Sequence, residues 1–542
     1  MIRGVLTTLH PAVEERLARL APDQREAATA PPGPVLCVAP AGSGKTTTLV
    51  ARICWLVAGG ADAGSITAVT FNKRAADELG ERLAAALAPL GDKVPVPRVR
   101  TFHALGREIL AESGAPVSNL VDRAEVLRQL NGGRRVPPAA LRTLDDAFSR
   151  LKLDVALGVE EARRLLKAGA DLPAAADVLG RYISYEGWLA EHAALDFDDL
   201  VRSALSVLGT DATALTTWRE RCATLLVDEV QDIDRSQLEL AVLLAGDRRD
   251  IFLVGDDDQT IYAWRLADVR RVLNLAASLP GLRRVDLVTN YRCPRPVVER
   301  AVRLIEGNKE RFAKTIRAGP SAVGALVLAP DPGDELARAR RLLTHWLAAQ
   351  PGGHAVLART NIELAPFAAV ALDLRIPYRA AEDGLLLDDP QIDELIAALP
   401  PDQPPAVGLA RMRKQTELVR AVTCWAIGAS TTNDLRQAIS DARSRRTELR
   451  RDDANLILAT AHGTKGLEFD HVAVIGLDDG VFPSRRTLAE AEDPRRALEE
   501  ERRLAYVAWT RARRSLLLVY DPSAPSVFMR EAFSVAELAI RA

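Results

Sequence analysis

The sequence predicts an α/β protein of two lobes, each built on a parallel sheet, and the main evidence is a repeated pattern of short apolar runs. The chain has 542 residues, more than a single hydrophobic core usually holds together. Apolar, β-branched runs without alternation are typical of strands buried on both faces of a parallel sheet. Two sets of such runs, separated by longer helical patterns, occupy residues 35–39, 66–71, 224–227, 251–255 and 285–288, then 324–329, 355–358, 456–460, 472–476 and 515–520.

Two helical stretches are predicted to interrupt these lobes. From 105 to 200 apolar residues recur at three- and four-residue spacing, which is the pattern of amphipathic helices. The second stretch is shorter and rich in arginine, and it is either a solvated helical surface or a nucleic-acid contact. The predicted order is first lobe 1–104, insertion 105–200, first lobe 201–288, second lobe 289–389, shortened insertion 390–454 and second lobe 455–542.

Composition restricts the class of protein. With 71 Lys and Arg against 73 Asp and Glu the net charge is −2, so any polyanion must be held by local basic patches and backbone amides. The five cysteines are scattered without CxxC spacing, which argues against a zinc site or a disulfide framework. No apolar window approaches the length of a membrane span. We therefore expect a cytoplasmic protein without membrane partners.

A phosphate-binding loop follows the first apolar run. The sequence PAGSGKTTT supplies small residues for a tight turn and then a helix start, so that backbone N–H groups can surround a β-phosphate. Lys45 adds a positive charge, and the Thr46 hydroxyl can bind Mg²⁺. Ala39 stands at the first glycine position of the general pattern. The predicted nucleotide-binding residues of the loop are Ala41, Gly42, Ser43, Gly44, Lys45, Thr46 and Thr47.

Two adjacent carboxylates follow another buried run, in the sequence TLLVDEVQD. Asp228 is placed to hold Mg²⁺, and Glu229 to orient or deprotonate an attacking water. An acidic helix cap is the alternative interpretation of the pair. Together with the upstream loop, the pair predicts an NTPase that uses Mg²⁺.

Ten collinear sequence blocks carry a resemblance to a known family. In chain order they are PDQREA, APAGSGKT, AVTFNKRAADEL, TFHALGREIL, DFDDL, LLVDEVQD, VGDDDQTIYAWR, NYRCPRPVV, HGTKGLEF and EERRLAYVAWTRAR. The chain resembles the UvrD/Rep helicases of superfamily one. The resemblance implies two RecA-like lobes with an ATP site between them, each lobe carrying a helical insertion.

The resemblance also implies roles for individual residues at the nucleotide. Gln24 resembles the glutamine that reads adenine, Tyr291 the aromatic that stacks on the base, and Glu468 the ribose contact. Gln259 resembles the γ-phosphate sensor, and Arg292 and Arg511 resemble the two arginine fingers. An independent argument supports the arginines, because planar guanidinium groups suit the charge that spreads over the equatorial oxygens during phosphoryl transfer.

A track for single-stranded DNA is implied in the same way. Phe71, Tyr262 and Trp264 resemble stacking platforms, and the alternative for Phe71 is a core residue. His103, Arg265 and His462 resemble partners of phosphates or bases. Stacking on aromatic rings tolerates any base sequence, which suits a protein that steps along DNA.

The expected function is an ATP-dependent helicase or translocase on single-stranded DNA and its junctions with duplex, with 3′ to 5′ polarity implied by the family. The alternative is a DNA-stimulated ATPase subunit of a larger nuclease, repair or phage-defence complex, with a protein partner. Two departures from the family bear on this choice. Leu266 stands where the family usually has glycine, and the second insertion is much shorter than the family's, which puts its duplex-gripping and autoinhibitory roles in doubt.

Overall fold

The computed structural model describes residues 9–91, 94–115, 117–134, 136–169, 172–320, 322–349 and 351–538. It divides into two compact units. The first unit holds the chain up to Val288 together with Glu310–Lys314, and the second holds Thr289–Lys309 and the chain from Thr315 onward. Each unit contains a six-stranded parallel sheet with helices around it, so the predicted α/β fold class is confirmed.

The first sheet consists of six strands, β1 (Val35–Val38), β2 (Ile66–Thr70), β3 (Arg98–Thr101), β4 (Thr224–Val227), β5 (Ile251–Gly255) and β6 (Arg283–Asp286). Their order in the sheet is β3-β2-β4-β5-β1-β6, and all neighbouring strands are parallel. Alternate residues of a strand point to opposite faces, and Leu36 and Val38 accordingly enter one core while Val35 and Cys37 enter another.

Helices cover both faces of this sheet, which explains the uninterrupted apolar strands. They are Pro11–Ala18, Pro22–Ala28, Lys45–Ala58, Lys73–Leu87, Phe102–Glu112, Asp199–Thr210, Ala212–Arg221, Arg235–Ala245, Val269–Leu273 and Leu275–Ser278. Between them the chain forms a helical group with a hydrophobic core of its own, around Phe148, Tyr182 and Tyr185. The helices of that group are Arg123–Leu130, Pro138–Ser149, Val159–Ala168 and Ala176–Glu191.

The second unit contains the strands β7 (Thr289–Asn290), β8 (Arg317–Ala318), β9 (Ala325–Pro330), β10 (His354–Ala358), β11 (Tyr378–Arg379), β12 (Leu456–Thr460), β13 (Phe469–Val474) and β14 (Ala512–Tyr520). Six of them form the second sheet in the order β11-β12-β10-β13-β14-β9, which is also parallel throughout. A separate two-stranded sheet joins β7 and β8.

The helices between 391 and 449 do not have a core of their own. Ile392, Val422 and Ile439 pack in the same hydrophobic core as Val356 of β10 and Leu458 of β12. This stretch is therefore part of the main body of the second unit. The helices of the unit are Arg295–Ile305, Glu335–Ala349, Ala365–Asp373, Gln391–Ala397, Pro405–Ala410, Glu417–Ala426, Thr432–Leu449, Arg485–Glu490, Pro494–Trp509, Val527–Ala532 and Val535–Leu538.

The segment Glu310–Lys314 belongs to the first unit although the chain on either side of it belongs to the second. The sequence-based division assigns all of 289–389 to the second lobe, so it does not predict that Glu310–Lys314 belongs to the first unit. The physical reason is a set of ion pairs from Arg311 and Lys314 to aspartates of the first unit. The other predicted lobe and insertion boundaries stay predictions. Within the described part of the chain, no helix combines the length and apolar character needed to cross a membrane.

Candidate functional site

The phosphate loop lies between β1 and the helix Lys45–Ala58. Gly42 has φ +68° and Gly44 has φ +83°, left-handed conformations that favour glycine. They turn the chain so that the helix begins at Lys45, with its backbone N–H groups at the loop. The Ser43 side chain is 1% exposed, and its hydroxyl has no hydrogen-bond partner among the described residues. A buried hydroxyl of this kind fits a ligand that accepts hydrogen bonds, such as phosphate.

Gln24 packs directly against this loop. Its side-chain N–H donates to the Ser43 carbonyl at 2.8 Å, and its side-chain oxygen accepts from the Ala21 N–H at 3.1 Å. A Cβ on Gly44 would stand 2.6 Å from the Gln24 amide nitrogen, so glycine is also needed there for close approach. A carboxamide has two donor hydrogens and two lone pairs. Each end of Gln24 therefore retains capacity for one contact to a base, and its adenine-reading role stays a prediction.

The acidic pair stands at the carboxyl end of β4. Glu229 has φ +51°, a left-handed conformation that is uncommon for a residue with a side chain and occurs most often at functional sites. Its backbone N–H donates to the Asp228 carboxylate at 2.9 Å. Burial, and then the Glu229 carboxylate, raise the pKa of Asp228 to about 7. A carboxylate oxygen is a ligand that Mg²⁺ prefers, and the role of Asp228 and the Thr46 hydroxyl in holding that ion stays a prediction.

Lys45 and Glu229 form an ion pair, with 3.2 Å between Nζ and Oε2. Burial opposes the charge of Lys45, but the carboxylates of Glu229, Asp256 and Asp228 outweigh it and raise the lysine pKa. The Lys45 ammonium group thus contacts a carboxylate in the same way as it would contact phosphate oxygens.

A chain of hydrogen bonds joins the acidic pair to Gln259. Gln231 donates to Glu229 at 2.5 Å and accepts from the Asp256 N–H at 3.0 Å. The Gln259 side chain donates to the Asp256 carboxylate at 2.7 Å. A Cβ on Gly255 would collide with the Gln231 side-chain oxygen, so glycine is required at this contact. We call this chain the catalytic relay, and it places three of the predicted catalytic groups, Lys45, Glu229 and Gln259, in one connected network.

In the second unit, Arg292 and Arg511 come together around residues 467–468. Arg292 donates to Glu468 at 2.7 Å, and Arg511 donates to the Leu467 carbonyl at 3.1 Å. Arg511 is 1% exposed and also donates to the Val507 carbonyl, so its guanidinium is held more tightly than a mobile finger requires. Burial opposes the charge of Glu468, but Arg292 and then Arg513 lower its pKa. Tyr291 is 48% exposed, which leaves its ring accessible for stacking.

The predicted stacking residues of the first unit form a continuous aromatic group. The rings of Phe71 and Tyr262 are stacked at 5.3 Å, and Tyr262 meets Trp264 edge to face at 6.0 Å. Trp264 is 54% exposed and carries the Arg265 guanidinium 4.7 Å above its ring. Phe71 is half-buried rather than a core residue. Phe71, Trp264 and Arg265 all line one cavity of about 980 Å³ within the first unit.

His103 lines the same cavity and is stacked on Phe197, with 3.9 Å between ring centroids. Burial is the main cause that lowers the pKa of His103 to about 4. The ring is thus neutral near pH 7, and it is suited to stacking or hydrogen bonding with bases rather than to ion pairing with phosphates. In the second unit, burial likewise lowers the pKa of His462, which begins the turn His462–Thr464, to about 4.

Comparison with known proteins shows where this arrangement belongs. Residues 20–280 match the UvrD/REP helicase N-terminal domain, and residues 406–523 match the UvrD-like helicase C-terminal domain. The ATP-dependent DNA helicase UvrD2 of Mycobacterium tuberculosis is 30% identical, over 94% of this chain and 79% of its own length. The chain belongs to the UvrD/Rep helicase family. The ATP-dependent DNA helicase Rep of Escherichia coli is 27% identical, over 92% of this chain and 90% of its own length.

Phe197 and Lys314 lie beside predicted site residues, and the sequence reasoning did not single them out. Phe197 is 57% exposed on the cavity that contains Trp264. The sequence does contain an indication of Phe197, because in the block DFDDL it is the one aromatic residue among carboxylates in a polar segment. Lys314 has no comparable signal, because its partners at 256–258 are more than fifty positions away in the sequence.

Leu266, where UvrD/Rep helicases usually have glycine, has φ +66°. A left-handed residue with a side chain costs roughly 1–2 kcal/mol, whereas glycine loses roughly 0.5–1 kcal/mol of additional backbone entropy on folding. We expect Leu266→Gly to stabilise the first unit by up to about 1 kcal/mol in urea unfolding. Leu266→Ala is the control, because it removes the same side chain but keeps the strained backbone. Equal unfolding midpoints for the two variants would contradict this expectation.

Proposed function

We propose that this chain is an ATP-driven translocase of single-stranded DNA that moves 3′ to 5′ and can separate strands at a junction with duplex. As a member of the UvrD/Rep helicase family it is a DNA helicase and a hydrolase of ATP. The observation that carries the finer proposal is that the catalytic relay and the aromatic cavity occur in the same unit. Gln259 ends the relay, and Tyr262 and Trp264 follow it three and five residues later.

The residues of the first unit divide the work of hydrolysis. Thr46 and Asp228 would hold the Mg²⁺ ion, which supplies neutralisation of phosphate charge. Lys45 leaves Glu229 for phosphate oxygens, which frees the Glu229 carboxylate to orient a water molecule. Gln259, held by Asp256, senses the γ-phosphate.

Arg292 and Arg511 of the second unit would stabilise the charge that develops on the transferred phosphoryl group. Tyr291 would stack on the adenine base, and Glu468 would contact the ribose. Because Arg292 is paired with Glu468, a nucleotide that engages both must rearrange this pair. ATP binding and the position of Arg292 are thereby linked.

Single-stranded DNA would lie along the aromatic cavity. Each stacked base contributes roughly 1–3 kcal/mol without regard to its identity, so Phe71, Tyr262 and Trp264 can hold any sequence. Arg265, above the Trp264 ring, supplies charge for phosphates, and the neutral rings of His103 and Phe197 supply further stacking surface. A motor that steps along arbitrary DNA needs this tolerance.

One observation favours the alternative, an ATPase subunit of a larger complex with a protein partner. The helices at 391–449 share the core of the second unit, so they do not form a separate body that could grip duplex by itself. Stepping along one strand should therefore survive in the isolated chain, while unwinding should be weak or should need a long 3′ tail. Steady-state ATPase assays with and without single-stranded DNA, and unwinding assays on duplexes with 3′ or 5′ tails, test the proposal. Robust unwinding of a blunt duplex by the chain alone would contradict it.

Trp264→Ala is expected to weaken single-strand binding by roughly 1–3 kcal/mol, because one stacking surface is lost, and to uncouple stepping from hydrolysis. Fluorescence anisotropy with a labelled oligonucleotide measures the affinity, and release of streptavidin from a biotinylated strand end measures stepping. Trp188→Ala is the matched control, since Trp188 lies in the same unit on the helix Ala176–Glu191 but does not line the cavity. A Trp264→Ala variant that translocates normally would rule out this track.

A further inference from the structure

Three consecutive aspartates of the first unit are held by two cations from the segment Glu310–Lys314. Lys314 Nζ is 2.9 Å from carboxylate oxygens of both Asp256 and Asp258, and it also pairs with Asp257. Arg311 makes two parallel hydrogen bonds to Asp258, at 2.9 and 2.7 Å. The Phe312 N–H donates to Asp257 at 2.8 Å. We call Asp256, Asp257, Asp258, Arg311 and Lys314 the aspartate clasp.

The clasp is enclosed, so its charges depend on one another. The side chains of Lys314 and the three aspartates are all 0% exposed. Burial opposes the lysine charge, but Asp256, then Asp258 and Asp257, outweigh it and raise the Lys314 pKa. Removing one partner from a buried ion network leaves uncompensated charge and is strongly unfavourable. Lys314 is therefore the cation that keeps three buried carboxylates in place.

Asp256 connects the clasp to the catalytic relay. One oxygen of its carboxylate accepts from Lys314 and the other accepts from the Gln259 side chain. Its backbone N–H donates to Gln231, which in turn donates to Glu229. The Asp256 carboxylate thus orients the Gln259 amide. Lys314 holds that carboxylate together with the Asp258 backbone N–H, which donates to the same oxygen at 3.2 Å.

The segment Glu310–Lys314 is also unusual in its position along the chain. The residues on either side of Glu310–Lys314 belong to the second unit. Lys314, which pairs with the segment bearing Gln259, thus belongs to the first unit although it follows Thr289–Lys309 of the second unit in the chain. No other part of the first unit that the structure describes follows a part of the second unit in this way.

We propose that Lys314 is a positioning residue for ATP hydrolysis: it holds Asp256 so that the Gln259 side chain faces the γ-phosphate. This inference rests on the proposed role of Gln259. Two features distinguish Lys314 from a lysine that only adds stability. Its side chain is fully enclosed beside Asp256, and the Asp256 carboxylate that it contacts also accepts a hydrogen bond from the Gln259 side chain.

A double-mutant cycle between Lys314 and Gln259 tests the proposal. Lys314→Met is expected to lower kcat at saturating ATP and single-stranded DNA by about tenfold or more, the size expected when a charged hydrogen bond that orients a catalytic group is lost. KM for ATP should change little. In a Gln259→Ala background the same substitution should cause no further loss of kcat, because the group it positions is already absent. Multiplicative losses in the double variant would overturn the proposal.

A charge-compensated variant separates positioning from stability. Lys314→Met combined with Asp257→Asn removes one charge of each sign, so folding should recover toward wild type while Asp256 still lacks its lysine. We expect the thermal midpoint to rise relative to Lys314→Met, with kcat staying low. Recovery of kcat together with stability would show a merely structural role. This variant also keeps the test decisive if Lys314→Met alone does not fold.

Lys152→Met is the matched control. Lys152 is also 0% exposed and is also surrounded by three carboxylates, those of Glu186, Asp196 and Asp199. Its loss should lower the thermal midpoint but leave kcat at saturating DNA near wild type. An equal loss of kcat in both lysine variants would overturn the specific role of Lys314. If Gln259→Ala hydrolyses ATP normally, the proposed role of Gln259 itself fails, an outcome distinct from an impaired Gln259→Ala with a normal Lys314→Met.

Discussion

Lys45→Ala and Glu229→Gln are each expected to abolish ATP turnover but to differ in their affinity for ATP. Glu229→Gln removes the carboxylate that handles the attacking water, a contribution of roughly 10²–10⁴ in rate. It spares every ground-state phosphate contact and also removes the carboxylate that pairs with Lys45 at 3.2 Å. The variant should therefore bind ATP at least as tightly as wild type and retain it unhydrolysed.

Lys45→Ala should weaken ATP binding by about ten- to a hundredfold, the size of a lost hydrogen bond to a charged group. Titration with a fluorescent ATP analogue and single-turnover hydrolysis measure the two effects separately. Glu239→Gln is the control, since Glu239 lies in the same unit and pairs with Arg235 at the surface. Indistinguishable ATP affinities for the Lys45 and Glu229 variants would argue against Glu229 as the residue that orients the water.

The strands of the two sheets were largely predictable because most of them are buried on both faces. Residues 224–227, 251–255 and 456–460 form strands with the predicted bounds. The strand Arg98–Thr101 was missed because its sequence is RVRT and all four residues are only half-buried, as befits an edge strand. The strand at Arg283–Asp286 lies two residues before its predicted position, since its first two residues are exposed arginines.

The site was predictable where chemistry is concentrated in a short segment, as in the phosphate loop and the acidic pair. What the sequence could not supply is which side chains of distant segments pair with each other. The contacts of Lys45 with Glu229, and of Gln24 with the Ser43 carbonyl, follow from the packing of separate segments. The aspartate clasp is a long-range contact of the same kind. Charge alone at Lys314 gave no indication of its partner.

The surroundings of Arg511 also could not be predicted from its motif. The motif predicts an arginine finger, whereas the structure holds the guanidinium buried against the Val507 and Leu467 carbonyls. Its substitution should therefore affect both turnover and the stability of the second unit. Arg292, with its side chain 18% exposed, gives the cleaner test of transition-state stabilisation.

Arg292→Ala is expected to lower kcat by on the order of a thousandfold, as for other finger arginines, while leaving DNA binding without nucleotide nearly intact. The reason is that a guanidinium acts on charge that appears only during phosphoryl transfer, so its loss hardly affects the ground state. Arg292→Lys should restore little activity, since an ammonium group cannot make two parallel hydrogen bonds. Single-turnover hydrolysis at saturating single-stranded DNA, with DNA affinity measured separately, checks both expectations.

Arg513→Ala is the matched control for this experiment. Arg513 also pairs with Glu468, at 3.3 Å, but its side chain is 48% exposed, so the pair contributes little to stability. If loss of a Glu468 partner were enough to impair turnover, the Arg513 variant would share the defect of Arg292→Ala. We expect instead that only the Arg292 variants are slow, because only Arg292 has a role at the transferred phosphoryl group. An Arg292→Ala variant that hydrolyses ATP near the wild-type rate would exclude that role and leave Arg292 with its contacts to Glu468 and the Thr510 carbonyl.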